Sequence, residues 1–378
     1  MNASCDFGIE EEYLLVSLSS GAVLTAPSAA INRLCREVVG RYFAEEMFCS
    51  QIEIASPVFS SLCQAQAFFS ESRERLNCAL AQEGVGLYGA ASHPGARWQG
   101  QRQRPGQHYQ QVFEAFQQVA RCSLLSGLHV HVGVPAGCDR MQLINRVLPW
   151  IPLLLVLSSS SPFWAGNMTG YMSYRRVICA QWPHMGLPEP LADWRAYQRY
   201  RALLQRTGSL AEDADLWWAI RPSQRFPTVE LRICDACPRL EDVLCIAGLF
   251  RHLVESCTVS HYQPVFLSRE ARWVLEENYW RALRYGRQGQ FIGYRTQQQV
   301  DALAWLGQLR AQFGDESLDA ERALRHAQRI LLEGTSAERQ LACHAQARRN
   351  GLDNRQALRA VVDLVLEETR GCGSNPLP

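Results

Sequence analysis

The sequence contains no lysine: all 38 of its basic residues are arginine. That excludes a P-loop lysine, a kinase-type strand lysine and a lysine Schiff base. Any phosphate handled by this chain must be held by arginine, backbone amides or a metal ion. A dominant charge sign is also missing. The formal net charge is +1 over 378 residues, so nothing in the electrostatics calls for nucleic acid or another polyelectrolyte. The start, MNASCDFGIE, lacks a basic region and a long apolar run, which argues against a signal peptide. The most apolar stretch, VLPWIPLLLVL from Val147 to Leu157, is too short to span a bilayer and carries two prolines, so it reads as a buried helix. The 14 cysteines show no disulfide framework, which leads us to expect reduced thiols in a cytoplasmic setting. CDAC (Cys234 and Cys237) has no second pair at zinc spacing. No repeat period and no low-complexity linker divides the chain.

What is present is a globular composition, 47% hydrophobic and 20% charged, with length for a large core. Strand signals fall at Phe7–Val16, Gln51–Ala55, Gly86–Ala91, Leu128–Val134 and Thr228–Cys234. Helical periodicity covers Ser60–Glu83, Tyr109–Leu125, Asp139–Ser158, Asp193–Thr207 and Leu240–Ser260. It continues over Ser268–Tyr285, Gln297–Phe313, Asp319–Leu332, Ser336–Asn350 and Asn354–Thr369, with Asp139 and Ser268 as N-caps. The expectation is α+β: one domain over 1–378, with a strand-containing core at about 5–240 and a helical part at about 240–370. GVGLYG (Gly84 to Gly89) matches a dinucleotide-binding pattern. It follows a helix and opens a strand, the reverse of what that fingerprint needs, and is discounted.

FGIEEEYLLV, from Phe7, places three glutamates inside a strand. Side chains alternate, so Ile9, Glu11, Tyr13 and Leu15 share one face, and Glu10 and Glu12 the other. GLHVHVGV repeats the logic, with Leu128, Val130, Val132 and Val134 opposite His129 and His131. In SQIEIASP, Ile52 and Ile54 oppose Glu53. In TVELRICD, Val229, Leu231 and Ile233 oppose Glu230 and Arg232. For one strand a solvated edge is the simpler reading. Four strands sharing one sheet make a convergent site the better one. Carboxylates with one or two imidazoles suit hard divalent cations such as Mg²⁺ or Mn²⁺.

WWAIRPSQRF adds Arg221 and Arg225 to Arg232, three guanidinium forks beside those carboxylates, suited to polyphosphate; mutual salt bridging is the plainer alternative. SSSSPFWAGNMTGYMSYRR (Ser158 to Arg176) reads as a binding loop. Arg175 is placed to clamp a substrate carboxylate, and Trp164, Tyr171 or Tyr174 to wall a pocket.

Together GIEEEY, QIEIASP, SHP, GLHVHVGVP, SSSSPFWAGNMTGYMSYR, IRPSQRFPTVELRICD, TSAERQ and ALRAVVDLVLEET resemble the glutamate–cysteine ligase type 2 family, the YbdK-like carboxylate–amine ligases. They occur in the family's order and span nearly the whole chain. The resemblance implies a glutamine-synthetase-like fold, an antiparallel sheet with a concave active face and helices behind it. It implies ATP-dependent joining of a carboxylate, glutamate, to an amine such as cysteine through an acyl phosphate, with Mg²⁺. By the same analogy Glu10, His129 and Glu230 hold the metal nearer ATP, and Glu12 and Glu53 the metal nearer the substrate carboxylate. Arg232 and Arg221 contact the transferring phosphoryl group and, with Glu53, form the catalytic set. Arg225 joins the two arginines in nucleotide binding, and His131 joins Arg175, Tyr171 and Trp164 in substrate binding. Ala219 before IRP and Pro227 before TVE depart from the family's pattern, where an acidic residue and a glycine are usual.

Three rivals remain at this level. A guanidino kinase would use the same ATP–metal apparatus and stop at phosphoryl transfer. A metal-dependent hydrolase would use the carboxylates without nucleotide. A non-catalytic sensor would bind ligand and not turn over. Partners are expected to be small molecules, with no nucleic acid or membrane, and a homodimer is allowed for.

Overall fold

The computed structural model describes residues 5–211, 215–259, 268–314 and 317–371. A seven-stranded sheet runs through the middle of the molecule. Its strands are β1 (Phe7–Ser17), β2 (Phe43–Glu45), β3 (Gln51–Ala55), β4 (Val85–Tyr88), β5 (Leu128–Gly133), β8 (Ile220–Pro222) and β9 (Thr228–Leu231). The spatial order is β2-β3-β1-β5-β9-β8, with β4 also paired to β1. Each pairing is antiparallel. β6 (Phe163–Trp164) and β7 (Asn167–Met168) form a short hairpin in the Ser-rich loop.

The alternation read from sequence decides which face is which. Ile9, Tyr13, Leu15, Ile52, Ile54, Val130, Val132, Val229 and Leu231 are all buried in one apolar core. Against that face lie α2 (Leu62–Gln82) and α8 (Leu240–Val259), whose apolar sides join the same core. Ser61 caps α2 by accepting from Gln64 N–H, as Asp139 caps α4 (Arg140–Val147) from Met141 and Gln142. The apolar run after α4 is interrupted by a 3₁₀ turn, Leu148–Trp150, before α5 (Ile151–Ser158). Pro149 and Pro152 sit in first turns, where a missing N–H breaks no helical bond. Arg140–Ser158 is long and apolar enough to cross a membrane, yet 89% of it is buried inside the protein, as a core element is.

The remaining helices are α1 (Ala29–Val39), α3 (Gln107–Arg121), α6 (Tyr174–Cys179), α7 (Trp194–Arg206), α9 (Arg269–Tyr285), α10 (Ala302–Phe313), α11 (Leu318–Glu333), α12 (Ser336–Arg349) and α13 (Asn354–Arg370). α11 packs on α8, and α13 lies on α12 and β4. The sequence reading starts the helix that becomes α10 at Gln297, whereas the chain first forms a hairpin, β10 (Gln290–Ile292) with β11 (Gln299–Asp301). Asp301 then caps α10, accepting from Ala304 N–H at 2.7 Å. GVGLYG lies at the α2–β4 junction, a helix followed by a strand as the sequence order requires. Among the described residues every cysteine is a free thiol, and Cys372 lies outside them.

Candidate active site

The face of the sheet turned away from the α2–α8 core carries the charged residues. Register brings them together, because directly opposed residues in an antiparallel pair share a face. Glu10 opposes His129, Glu12 opposes Glu53, His131 opposes Glu230, and Glu230 opposes Arg221. Two groups of ligand-type atoms result, each with its atoms within 4.8 Å of one another: Glu10, His131 and Glu230, and Glu12, Glu46 and Glu53.

The first group sits between imidazoles and guanidiniums. His131 Nε2 is 3.3 Å from Glu10 Oε1 and 3.7 Å from Glu230 Oε2. Arg221 Nε donates to Glu230 Oε2 at 2.7 Å, and Arg232 donates to Glu230 Oε1. Glu230 is fully buried. Burial alone would raise its carboxyl, but Arg232 and Arg221 outweigh that and hold it at about 2. His131 Nδ1 is fixed against Thr228 Oγ1 at 3.0 Å, which turns Nε2 toward the carboxylates.

His129 lies between the two groups. Its Nδ1 is 3.2 Å from Glu10 Oε2 and its Nε2 is 3.6 Å from Glu12 Oε1. Burial, then the charge of Arg232, pushes this imidazole below its ordinary value. The analogy puts His129 with Glu10 and Glu230; the three-residue groups hold His131 there and leave His129 as the bridge.

In the second group three carboxyls crowd together. Burial first, and the neighbouring Glu12 next, push Glu46 up to about 7; burial and Glu46 push Glu53 well above the usual carboxylate range. Glu46 does not figure in the sequence reading. It follows β2 in a segment with no alternation, so no face can be assigned to it from sequence. Gly127 N–H donates to Glu12 Oε2 at 2.6 Å. A Cβ on Gly127 would lie 2.3 Å from Arg175 Nη2, so any other residue there would displace the guanidinium.

Two features of the donor sets fit divalent cations. Nε2 of both His129 and His131 is buried with no hydrogen-bond partner. Carboxyls that share one small space and hold protons against repulsion are the expected state of a cage that a cation would neutralise.

Beside Glu12 and Glu46 opens a cavity of about 320 Å³. Arg175 and Arg232 line it, and so do Trp182 and Trp217. Arg175 Nη1 donates to the carbonyl of Cys234 at 3.0 Å. Its loop is tied down by buried Asp235, which accepts from Ser161 Oγ and Ser173 Oγ, both at 2.7 Å. Two of the expected pocket residues, and the expected nucleotide residue Arg225, stand elsewhere. Trp164 and Tyr171 pack around Tyr174, with ring centroids 6.0 Å from it, and do not line the cavity. Arg225 is exposed and stacked on Phe226 at 5.2 Å, beyond the Glu230 end of the sheet. Ala219, one of the two departures from the family pattern, is fully buried, and its carbonyl accepts from Arg232 N–H at 2.8 Å.

The family model for glutamate–cysteine ligase family 2 matches residues 6–359. A protein of Pseudomonas putida, named "Putative glutamate--cysteine ligase 2", is 64% identical over 358 residues, covering 95% of this chain and 97% of its own. One from Pseudomonas fluorescens bearing the same name is 46% identical over 365 residues, 96% and 94% of the two chains. Among solved structures, glutamate–cysteine ligase from Francisella tularensis in complex with AMP superposes with a TM-score of 0.69 at 12% identity, over 99% of this chain and 90% of that one. A bifunctional glutathione synthetase from Pasteurella multocida gives 0.67 at 14% identity, over 97% and 52%. At such identities these two speak for the fold, which is the glutamine-synthetase-like arrangement of an antiparallel sheet with helices behind it.

Proposed function

The chain belongs to glutamate–cysteine ligase family 2, and on that premise we propose that its charged sheet face makes a γ-glutamyl amide from glutamate and an amine. It is an ATP-dependent carboxylate–amine ligase. A carboxylate cannot expel oxide, so the donor is first phosphorylated by ATP, and the amine then displaces phosphate from the acyl phosphate. The observation that carries this reading is the pair of acidic groups in adjacent rows of one sheet face, with Arg232 reaching both: it bonds Glu230 of one and lines the cavity of Glu12 and Glu46.

Glu10, His131 and Glu230, with His129 alongside, are suited to hold Mg²⁺ at the nucleotide side, and Glu12, Glu46 and Glu53 at the donor side; Mn²⁺ fits the same donors. Bound there, such ions supply charge neutralisation for the phosphates and the donor carboxylate. Arg232 and Arg221 are already oriented by Glu230 and offer preorganised donors to the phosphoryl group in flight. Arg175, which lines the cavity, is available for the donor's carboxylate. Arg225, from its exposed loop, takes the outer part of the nucleotide. No side chain needs to become covalently attached, which fits a site of positioning and charge.

The test is isotopic. Glutamate carrying ¹⁸O in its γ-carboxylate, ATP and an amine should yield labelled phosphate, because one carboxylate oxygen leaves with the phosphoryl group. Amide product with unlabelled phosphate excludes the acyl phosphate.

A further inference from the structure

The cavity beside Glu12 and Glu46 has a chemical asymmetry that the ligase reading does not explain. Its sheet end is charged. Away from the sheet it is walled by Trp182, Trp217, Met185 and Val112, while Met47 and Tyr109 lie next to Glu46. The two tryptophans are locked into one aromatic block with Phe116. Trp182 and Trp217 meet edge to face at 5.4 Å, and Phe116 lies 4.9 Å from one and 5.5 Å from the other. Trp182 Nε1 donates to Ser123 Oγ, another lining residue, at 2.7 Å, which fixes the ring. Trp217 and both methionines remain half-exposed.

The second observation is the supply of cations. Among the described lining residues the guanidiniums are Arg175 and Arg232 alone. Arg232 is bound to Glu230, and Arg175 Nη1 is engaged by backbone carbonyls at its buried end. His108 also lines the cavity, exposed at its rim and edge-on to Tyr109 at 5.5 Å. If these guanidiniums serve the phosphoryl group and the donor's carboxylate, no guanidinium in the lining is left for a second amino acid. An acceptor such as cysteine would bring its carboxylate against an apolar wall with no free guanidinium beside it. An anion held against an apolar wall with no cation to pair it is disfavoured.

Resting on the ligase reading, we propose that the acceptor is an amine without a carboxylate, carried on an aromatic or comparably apolar body that lies against Trp182 and Trp217. In the step concerned, the amine nitrogen forms a bond to the γ-carbonyl carbon of the acyl phosphate. The carbon–oxygen bond to phosphate breaks, and phosphate departs with the electron pair. One proton leaves the ammonium before attack, since only the free amine is nucleophilic, and a second leaves the nitrogen as the amide forms; water at the cavity mouth takes both. The apolar wall supplies binding through buried area.

The experiment uses the full chain with ATP, Mg²⁺ and glutamate, and compares phenethylamine, L-phenylalanine, L-cysteine and hydroxylamine as acceptors. Products are followed by mass spectrometry and phosphate release. Hydroxylamine needs no body-binding pocket, so γ-glutamyl hydroxamate reports the ligase reading by itself. The expected result is a kcat/KM for phenethylamine at least about tenfold above both amino acids, since the carboxylate is the only difference from phenylalanine. Trp217→Ala should raise the KM for phenethylamine about tenfold relative to the KM for hydroxylamine and leave the KM for ATP unchanged. Hydroxamate with equal or better use of the amino acids overturns this inference and leaves the ligase reading standing. A Trp217→Ala effect on the KM for ATP assigns the wall to the nucleotide and overturns it too. Absence of hydroxamate overturns both. The ranking in the unmodified protein decides the matter even if the variant fails to fold.

Discussion

Arg73 of α2 closes a two-pronged ion pair on Glu11 inside the core, Nη2 to Oε1 at 2.6 Å and Nε to Oε2 at 3.1 Å. The central glutamate of GIEEEY therefore points away from its two neighbours, through the sheet, into apolar surroundings where both partners are almost fully buried. Tyr13 donates to the same carboxylate, and Arg73 Nη1 donates to the Pro238 carbonyl at 2.6 Å, tying β1 to the segment after β9. Three adjacent charges are tolerable because alternate ones have different employment.

The consequence is a separation of stability from activity. Glu11→Gln leaves a buried guanidinium without its counter-charge, and such half-pairs are destabilised by about 3 kcal/mol or more. Urea denaturation should show that loss, while kcat measured well below the new midpoint stays within a few-fold of the parent. Replacing both partners, Glu11→Leu with Arg73→Met, should recover much of the stability. A folded Glu11→Gln protein with kcat as low as that of a Glu10 or Glu12 variant would defeat the assignment of faces.

That assignment was legible because it depends on a period of two, which a strand enforces whatever its neighbours do. The same period placed Glu53, His129, His131, Glu230 and Arg232 on the charged face, and register then did what sequence cannot, setting Glu12 against Glu53 and His131 against Glu230. Glu46 was not legible, since a loop residue has no parity to read. The aromatic wall was not legible either: Trp182 and Trp217 are 35 positions apart in the chain and meet only through packing on Phe116. The Ser-rich loop pointed to Trp164 and Tyr171, which pack beside Tyr174 and do not line the cavity, and composition does not tell which rings of a loop face a cavity. α1 is a different case. Ser28 caps it by accepting from Ile31 N–H, and Ile31, Leu34, Cys35 and Val38 repeat at helical spacing, so its signal was present and simply goes unassigned in the sequence reading.

For the two outward glutamates the prediction concerns metal first. Glu12→Gln removes one carboxylate from the Glu12, Glu46 and Glu53 group, and Glu10→Gln one from the Glu10, His131 and Glu230 group. Each should weaken Mg²⁺ binding in calorimetric titration and lower kcat by about 10²-fold or more, with the folded structure retained by circular dichroism. Undiminished Mg²⁺ affinity in both variants would remove these groups from the metal sites.

Arg232 tests how the phosphoryl group is held. Its guanidinium is oriented by Glu230 and lies 3.5 Å from His129 Nδ1. Arg232→Lys keeps the charge and loses the planar fork. We expect kcat to fall about 10²-fold while the Kd for ATP changes much less, because the fork acts on charge that develops in the transition state. Loss of ATP binding with kcat preserved at saturation would make Arg232 a ground-state ligand instead.

The crowded carboxyls make a prediction about pH. Burial first and Glu12 next hold Glu46 at about 7, against an ordinary value of 4.5, and Glu53 is raised by burial and by Glu46. Between those two values the folded protein keeps protons that the unfolded chain has released. Stability in the presence of EDTA must then fall as pH rises through that window. Glu230 acts oppositely: held at about 2, it contributes stability above its unfolded value and loses it only as pH falls toward 2. Mg²⁺ binds the ionised carboxylates, so it competes with the protons on Glu46 and Glu53. Thermal unfolding followed by calorimetry should show a larger Mg²⁺-induced rise in Tm at pH 8 than at pH 5.5, and Glu46→Gln should flatten the EDTA profile across the same range. A rise in Tm that is the same at both pH values would mean that protons and Mg²⁺ do not compete, and that the cation is held somewhere other than among these three carboxyls.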